Sequence, residues 1–264
     1  MLTLYLLSLS ILIVYATLLF LFAQYKKDNS IIDIAYGAGF ILTTATLIII
    51  ISRVSPLSLF SYSNIIALLI FIWGTRLSYR IYQKNKGKPE DFRYRDWRDL
   101  WMTQGVLYYT LRAYFQIFIL QGFVISIVLL PFTVSLDHYT TPNYYILPGL
   151  FIWIIGFLFE VIGDHQLDRF ILDKNKTSTI MKTGLWKYTR HPNYFGESMM
   201  WWGLATISLS ASYSFLAILS PLLITYLLLF VSGIPMLEKK WTGNEEWEEY
   251  KKKTSAFIPL PPKG

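Results

Sequence analysis

Residues 2–23 of the chain, LTLYLLSLSILIVYATLLFLFA, contain no charged side chain. A helix rises about 1.5 Å per residue, so about 20 apolar residues cross the roughly 30 Å hydrocarbon core of a bilayer. The stretch lacks the basic leading segment and the small-residue cleavage site of a signal peptide. It is therefore interpreted as a membrane span, and it indicates that the chain is an integral membrane protein.

The composition of the 264-residue chain supports this interpretation. Hydrophobic residues make up 54% of the chain and charged residues 16%, whereas soluble domains carry about 25% charged residues. The net charge of +7 would also suit a nucleic-acid ligand. The lysines and arginines lie between apolar runs and not on a separable domain, so no nucleic-acid partner is predicted. The absence of cysteine excludes disulfides, thiolate metal sites and a cysteine nucleophile.

Six further apolar runs follow, and together they predict an all-α, polytopic membrane helix bundle with about seven transmembrane helices. The predicted spans are residues 2–23, 31–51, 62–82, 111–135, 144–162, 193–210 and 214–236. Lysine and arginine are concentrated in the first, third and fifth connections and in the C-terminal tail, while the other connections contain Arg53 alone. Because positively charged loops stay in the cytosol, the N-terminus is predicted outside and the tail inside.

The segment at residues 184–203, GLWKYTRHPNYFGESMMWWG, joins a basic loop directly to an apolar helix. Pro192 disfavours helix at His191 and favours a helix start just beyond it. The N–H groups at a helix start attract anions, and Lys187 and Arg190 strengthen that attraction. A phosphate-bearing cofactor is the predicted occupant, and lipid phosphate is the alternative.

Asn193 and Glu197 are four residues apart and therefore share one face of that helix. An ionisable group inside a span is costly in lipid and is usually functional, so the pair is predicted to line a cofactor pocket. The alternative is that Glu197 forms an ion pair with Arg190 or with a lysine of the tail and only holds the loop in place.

A second basic segment, KNKGKPEDFRY at residues 84–94, is predicted to form another surface for phosphate and ribose, with a solvated mixed-charge loop as the alternative. Several charges near span ends, taken one at a time, are interpreted as snorkelling or paired groups; they are Asp33, Arg76, Glu160 and Asp164. No metal site is predicted, because no histidine has a second ligand at helical spacing; the histidines are His138, His165 and His191. The chain also lacks GxGxxG and Walker motifs, so a bound dinucleotide would not be held by a Rossmann unit.

Residues 184–203, together with SGIPMLEKK at 232–240 and YKKKTSAFIPLPPK at 250–263, resemble the steroid 5-alpha-reductase-like membrane family. The most similar branch is the domain-of-unknown-function 1295 proteins, which KNKGKPEDFRY also matches. The first half of that segment is similar to the Asn-x-Gly-Arg-Pro cofactor loop of the steroid reductases.

The resemblance implies a seven-span reductase that binds NADPH at the cytosolic ends of its later spans and takes a lipophilic enone from the bilayer. Residues 1–264 would form a single integral membrane domain, with N-terminal spans at 1–83 and the cofactor-binding part and cytosolic tail at 84–264. Carried over by motif, the cofactor-binding residues are Asn85, Lys88, Asp164, Tyr188, Arg190, His191, Asn193, Tyr194, Glu197, Glu238, Trp241 and Tyr250. Steroid reductases polarise the substrate carbonyl with a Glu on the second span and a Tyr on the third. This sequence has no clean match, and the approximate catalytic substitutes are Asp33 and Tyr79, with Tyr36 as a further candidate.

The predicted function is NADPH-dependent reduction of a conjugated C=C bond in a steroid- or isoprenoid-like substrate, with Asp33 or Tyr79 stabilising the enolate charge. One alternative is an S-adenosylmethionine-dependent methyltransferase of the lipid or isoprenylcysteine type, because isoprenylcysteine carboxyl methyltransferases share the Arg-His-Pro-x-Tyr-x-Gly stretch. The other is a non-catalytic lipid-binding membrane protein. The expected partners are a lipophilic small molecule and membrane lipid, and the expected location is a bacterial inner membrane or the endoplasmic reticulum.

Overall fold

The computed structural model describes residues 1–54, 61–136, 142–212 and 214–263. Helix accounts for 78% of the structure. Across those four ranges there is no β-strand, and a single isolated bridge joins Thr189 to Ser255. The predicted all-α class is therefore confirmed.

Six helical stretches are long and apolar enough to cross a membrane, and each overlaps one of the predicted spans. They are Leu2–Lys26, Ile31–Arg53, Tyr62–Asn85, Val106–Val128, Ile146–Leu172 and Phe215–Lys239. The protein is thus an integral, multi-pass membrane protein.

The seventh predicted span, residues 193–210, falls within the helix Pro192–Ser212. This helix is not one of the six stretches found among the described residues, because Asn, Glu and Ser dilute its apolar residues. The seventh crossing and the orientation of the termini stay predictions.

The first compact unit comprises Met1–Pro142 and Ala211–Leu216. Its main helices are α1 (Leu2–Lys26), α2 (Ile31–Val54), α3 (Tyr62–Asn85) and α4 (Phe92–Met102), followed by α5 (Val106–Arg112), a π-helical segment (Ala113–Ile119), α6 (Leu120–Val128) and α7 (Leu130–Ser135).

Helix α1 lies antiparallel to the continuous stretch from α5 to α6. The Tyr109 hydroxyl donates to Gln24 Oε1 near one end of this pair, and Tyr5 and Ser126 share a hydrogen bond near the other. Between these points the Phe20 ring packs edge-on against Phe118, with ring centroids 5.4 Å apart. This arrangement fixes which residues of the two helices lie at the same height.

The second compact unit comprises Asn143–Ser210 and Ala217–Gly264. It contains α8 (Ile146–Leu172), a 3₁₀ turn (Gly184–Lys187), most of α9 (Pro192–Ser212), α10 (Leu219–Tyr226), a second π-helical segment (Leu227–Val231), α11 (Ile234–Lys239) and α12 (Glu245–Lys253).

Helices α8 and α9 pack backbone against backbone through glycines placed seven residues apart. A Cβ at Gly156 would lie 2.6 Å from the carbonyl oxygen of Gly196, and one at Gly203 would lie 2.7 Å from that of Gly149. Gly163 continues the row, and a Cβ at Gly163 would lie 3.0 Å from Pro192 Cγ. Small residues at such a spacing allow membrane helices to approach closely. The contact holds the first turn of α9 against the last turns of α8.

Candidate functional site

The Arg-His-Pro loop of the second unit is bound along the extended C-terminal tail. The Arg190 backbone N–H donates to Ser255 O at 2.8 Å, and the Leu260 N–H donates to Tyr188 O at 3.0 Å. The Thr189 hydroxyl donates to Phe257 O at 2.8 Å. The Arg-His-Pro loop and the C-terminal motif, which both support the family resemblance, are therefore hydrogen-bonded to each other.

The Arg190 side chain lies in the middle of this structure and is 7% exposed. Its Nε donates to Glu238 Oε1 at 2.9 Å, and its Nη2 donates to Glu238 Oε2 at 3.3 Å. Its Nη1 donates to Thr254 O at 2.6 Å and to Lys251 O at 3.3 Å. Because these contacts join the loop, α11 and the end of α12, the geometry gives Arg190 a positioning role; its predicted contact with a cofactor stays a prediction.

His191 shares the same carboxylate. Its Nε2 lies 3.0 Å from Glu238 Oε1, and its ring stacks on that of Tyr194 at 5.4 Å. Burial lowers the pKa of His191 below 6.5, and the nearby Glu238 offsets this only in part. The imidazole is therefore neutral near pH 7, and since a carboxylate only accepts, Nε2–H donates to Glu238 and Nδ1 is left as an acceptor.

Asn193 lies in the first turn of α9 and is the most informative of the predicted residues. Its Oδ1 is buried and has no hydrogen-bond partner in the structure. A buried acceptor without a donor costs about 1–3 kcal/mol, so such an atom marks a place where a ligand can supply the donor. Glu197 lies one turn further along α9 and is half-buried.

Two carboxylates of α8 lie beside this helix start. Glu160 and Asp164 are each 4% exposed. A Cβ at Gly196 would lie 2.6 Å from the backbone nitrogen of Glu160, and the backbone nitrogen of Asn193 is 3.4 Å from a Cβ built on Gly163. From the sequence alone, Glu160 is predicted only to be a snorkelling or paired charge near a span end. The signal that could have found it is the seven-residue glycine spacing, which identifies the face of α8 that meets α9.

Tyr250 and Trp241 belong to the supporting structure. The Tyr250 hydroxyl donates to Trp186 O, and burial raises the pKa of Tyr250 well above its ordinary value. Trp186 in turn donates its indole N–H to Gly163 O at 3.0 Å, so α12 is tied to α8 through one residue. Trp241 stacks on Trp247 at 6.2 Å. Tyr188, in contrast, is exposed.

In the first unit, Asp33 lies in the first turn of α2 and anchors α4. It accepts a hydrogen bond from the Tyr94 hydroxyl at 2.5 Å and forms an ion pair with Arg93 Nη2 at 2.9 Å. Burial and the neighbouring carboxylate of Asp33 raise the pKa of Tyr94, so its hydroxyl stays protonated. Asp33 is thus an anchored carboxylate, and its catalytic role stays a prediction.

The Asn85–Lys88 turn leads from α3 towards α4. The Lys88 N–H donates to Asn85 O at 3.0 Å, and Gly87 has a φ of 73°, which favours glycine. Just after the turn, Glu90 accepts from the Asn29 N–H and from Arg98 Nη2, both at 2.7 Å. The hydrogen bonds of Glu90 therefore hold the C-terminal end of the turn in place, while the Lys88 side chain is exposed.

Tyr79, the second predicted catalytic residue, is 63% exposed on α3. Its hydroxyl accepts from Gln83 Nε2 at 2.8 Å. Tyr36, the further candidate, packs edge-on against Phe40 with ring centroids 5.1 Å apart. Tyr79 is thus exposed on α3 and Tyr36 packs against Phe40, and the catalytic roles of both stay predictions.

The predicted site residues divide between the two units. Asp33, Tyr36, Tyr79, Asn85 and Lys88 belong to the first unit, and all the others belong to the second. That the Asn85–Lys88 turn and the Arg-His-Pro loop bind the same cofactor stays a prediction. Within the described ranges there is no group of three or more His, Asp or Glu residues that could hold a metal ion; His138 lies outside those ranges.

Fold and site together define a multi-pass, all-helical membrane protein whose Arg-His-Pro loop is locked to its C-terminal tail. Residues 19–254 match the family model described as "Protein of unknown function (DUF1295)". The chain therefore belongs to the DUF1295 family, within the steroid 5-alpha-reductase-like membrane proteins, and the predicted resemblance is confirmed.

Several curated relatives carry the name 3-oxo-5-alpha-steroid 4-dehydrogenase 1. The protein of Macaca fascicularis is 27% identical over 202 residues, which cover 76% of this chain and 67% of the relative. The proteins of Homo sapiens and Bos taurus are each 30% identical over 124 residues, which cover 47% of this chain and 44% of the relative. No solved structure matches the chain.

Proposed function

We propose that the protein is an NADPH-dependent membrane reductase that acts on a conjugated C=C bond in a steroid-like lipophilic substrate. The relatives named as steroid 4-dehydrogenases support the reaction class. The observation that carries the cofactor assignment is the buried, unpartnered Oδ1 of Asn193 in the first turn of α9. The carboxamide N–H₂ of a nicotinamide is a donor of the kind that this atom lacks.

A second feature of the chain, the helix start at α9, suits the phosphates of a dinucleotide. The start of α9 attracts anions through its N–H groups and helix dipole. Asn193, Tyr194, Glu197 and Tyr188 would contact the cofactor, and the exposed side chain of Lys88 would supply a cation for phosphate. Arg190, Glu238 and Tyr250 would act by holding these residues in place, because their described contacts are with the protein.

When bound, NADPH supplies the hydride that adds to the distal carbon of the conjugated bond. The carbonyl oxygen of the substrate then gains negative charge, and a hydrogen-bond donor of the protein must stabilise it. Tyr79 is the proposed donor, because its phenol carries a proton; Asp33, the other candidate, could donate only as a protonated carboxyl group. Tyr79→Phe should lower turnover with little loss of stability because Tyr79 is exposed, whereas Asp33→Asn should also loosen α4 because Asp33 holds Arg93 and Tyr94.

The cofactor assignment is tested by titrating the purified protein with NADPH and following its tryptophan fluorescence. Asn193→Ala should weaken the affinity for NADPH roughly tenfold, since the buried hydrogen bond between Asn193 and the cofactor is lost. Asn175→Ala is the matched control, because Asn175 is an exposed asparagine in the same unit. An unchanged NADPH affinity in the Asn193 variant would reject the assignment.

The methyltransferase alternative follows from the Arg-His-Pro-Asn-Tyr-Phe-Gly stretch at 190–196. Its test is a thermal shift with S-adenosylmethionine in parallel with NADPH. Stabilisation by S-adenosylmethionine alone would replace the reductase with a methyltransferase. Stabilisation by neither cofactor would favour a non-catalytic lipid-binding protein.

A further inference from the structure

A polar stripe runs along an outward face of the Val106–Val128 span, separate from the residues discussed above. Tyr108, Arg112 and Gln116 are spaced four residues apart on it. Arg112 Nε donates to the Tyr108 hydroxyl at 3.0 Å, and Arg112 Nη1 donates to Gln116 Oε1 at 2.8 Å. The guanidinium also lies over the Tyr108 ring, 5.4 Å from its centre. Arg112 and Gln116 are both exposed.

The height of this stripe in the membrane follows from its neighbours. Arg112 lies six residues into the span, or about 9 Å from its start. Tyr109, on the turn before it, is hydrogen-bonded to Gln24 at the end of α1, and Lys26 follows Gln24 within the same turn. Arg112 therefore lies about one turn deeper than the charged boundary of the span, at the level where lipid head groups meet the acyl chains.

Simple snorkelling does not describe this arginine well. A snorkelling side chain extends towards water and needs no partner on its inner side. Here Gln116, one turn deeper in the span, holds Nη1, while Tyr108 holds Nε and supports the plane of the guanidinium. The side chain is thus fixed in one orientation on a surface where an unneutralised cation is costly.

The arrangement leaves donors of the right geometry for an anion. A guanidinium has five N–H groups, and two of those of Arg112 are used by Tyr108 and Gln116 in the described structure. The remaining donors include both N–H groups of Nη2, and a guanidinium binds phosphate in a two-pronged manner. The surrounding groove has a volume of about 420 Å³ and is lined by Tyr108, Leu111, Arg112, Phe115, Gln116 and Leu120.

The groove combines this cation with apolar walls on its deeper side. Phe115 and Leu120 are exposed and would lie beside acyl chains, while Tyr108 and Arg112 lie nearer the end of the span. A phospholipid has the same order of groups, with a phosphate above two acyl chains. The π-helical segment Ala113–Ile119 begins directly after Arg112, and such segments often occur at functional sites.

We propose that Tyr108, Arg112 and Gln116 form a binding site for the phosphate of an anionic phospholipid. The single positive charge of the site selects a head group with net negative charge, because a zwitterionic head group brings its own cation to the phosphate. Binding neutralises Arg112 at the membrane boundary and covers the face that includes the π-helical segment.

Native mass spectrometry of the detergent-purified chain tests this proposal with two lipids of the same acyl chains, phosphatidylglycerol and phosphatidylcholine. The wild type should retain phosphatidylglycerol in preference to phosphatidylcholine. Arg112→Gln should bind phosphatidylglycerol at least about tenfold more weakly, since a charge-assisted, two-pronged hydrogen bond is removed. Equal retention of the two lipids by the wild type, or unchanged binding in Arg112→Gln, would overturn the proposal.

Matched variants keep the result interpretable. Arg95→Gln removes another exposed arginine of the first unit and should leave lipid binding unchanged. Tyr108→Phe keeps the ring and the cation but removes one hydrogen bond that fixes Arg112, so it should weaken binding of phosphatidylglycerol about threefold. This variant tests the site independently if Arg112→Gln folds poorly. A tenfold loss in Arg95→Gln, or no loss in Tyr108→Phe, would each argue against a lipid site.

Discussion

Arg190 and Glu238 are separated by 48 residues in the chain and form an ion pair whose side chains are 7% and 13% exposed. Arg190→Gln would leave the Glu238 carboxylate without its cation and the Thr254 carbonyl without its donor. Removing one partner of a buried pair costs about 3–5 kcal/mol, so we expect a large drop in the free energy of unfolding, measured by circular dichroism in detergent. Arg169→Gln, at an exposed arginine of α8, should change it by less than about 0.5 kcal/mol. Equal stability of the two variants would contradict the positioning role of Arg190.

His191 makes the stability of the protein depend on pH. Burial keeps its folded-state pKa below the ordinary 6.5, so between these two values the unfolded chain binds more protons than the folded one. Its contribution to stability is therefore present above pH 6.5 and declines as the pH falls below that value. We expect the melting temperature to fall between pH 7 and pH 5.5, and to fall less in His191→Gln. In His165→Gln, at an exposed histidine, the acid dependence should equal that of the wild type.

The α8–α9 pair depends on glycine because its two backbones touch. In Gly156→Ala the new methyl group would meet the Gly196 carbonyl oxygen at 2.6 Å, and such overpacking costs about 1–3 kcal/mol. Gly122→Ala in α6 is the matched control, since its methyl group would lie 3.4 Å from Leu12 O, an ordinary contact. We expect the first variant to lower the melting temperature and NADPH affinity together, and the second to change neither. Normal behaviour of Gly156→Ala would show that the helices can separate without consequence.

The sequence predicts helices of this kind more readily than their contacts. Six of the seven spans predicted from apolar runs of about 20 residues are found as helices long and apolar enough to cross a membrane, because length and hydropathy are local properties. The glycine row at Gly149, Gly156 and Gly163 is visible in the sequence, but only the structure shows that it faces α9. The π-helical segment at Ala113–Ile119 could not be predicted, because the hydrophobic periods of α- and π-helices differ too little over seven residues.

At the scale of the whole molecule, the family could be recognised from motifs, whereas the roles of the motif residues could not be read from them. Arg190 is a predicted cofactor contact because it adds positive charge at a helix start, and Asp33 is a predicted catalytic group because the resemblance implies an acid on the second span. The structure gives both of them protein partners 48 to 64 residues away in the sequence. Asn193, by contrast, keeps a buried acceptor without a partner. Distant pairing of this kind depends on the tertiary fold, which a single sequence does not specify locally.

The last prediction concerns whether both units bind one NADPH. If the Asn85–Lys88 turn of the first unit contacts the phosphates, Lys88→Ala should weaken NADPH binding roughly tenfold and make it less sensitive to salt, because a charge-assisted contact is lost. Arg53→Ala is the control. Arg53 lies in the last turn of α2, about 30 Å along the helix from Asp33 in the first turn, and Asp33 is at the end of α2 that pairs with Arg93, just after the Asn85–Lys88 turn. Fluorescence titration of Lys88→Ala, Asn193→Ala and the double variant measures the coupling between the two units. Losses in both single variants would support one shared cofactor, whereas a loss confined to Asn193→Ala would assign the cofactor to the second unit alone.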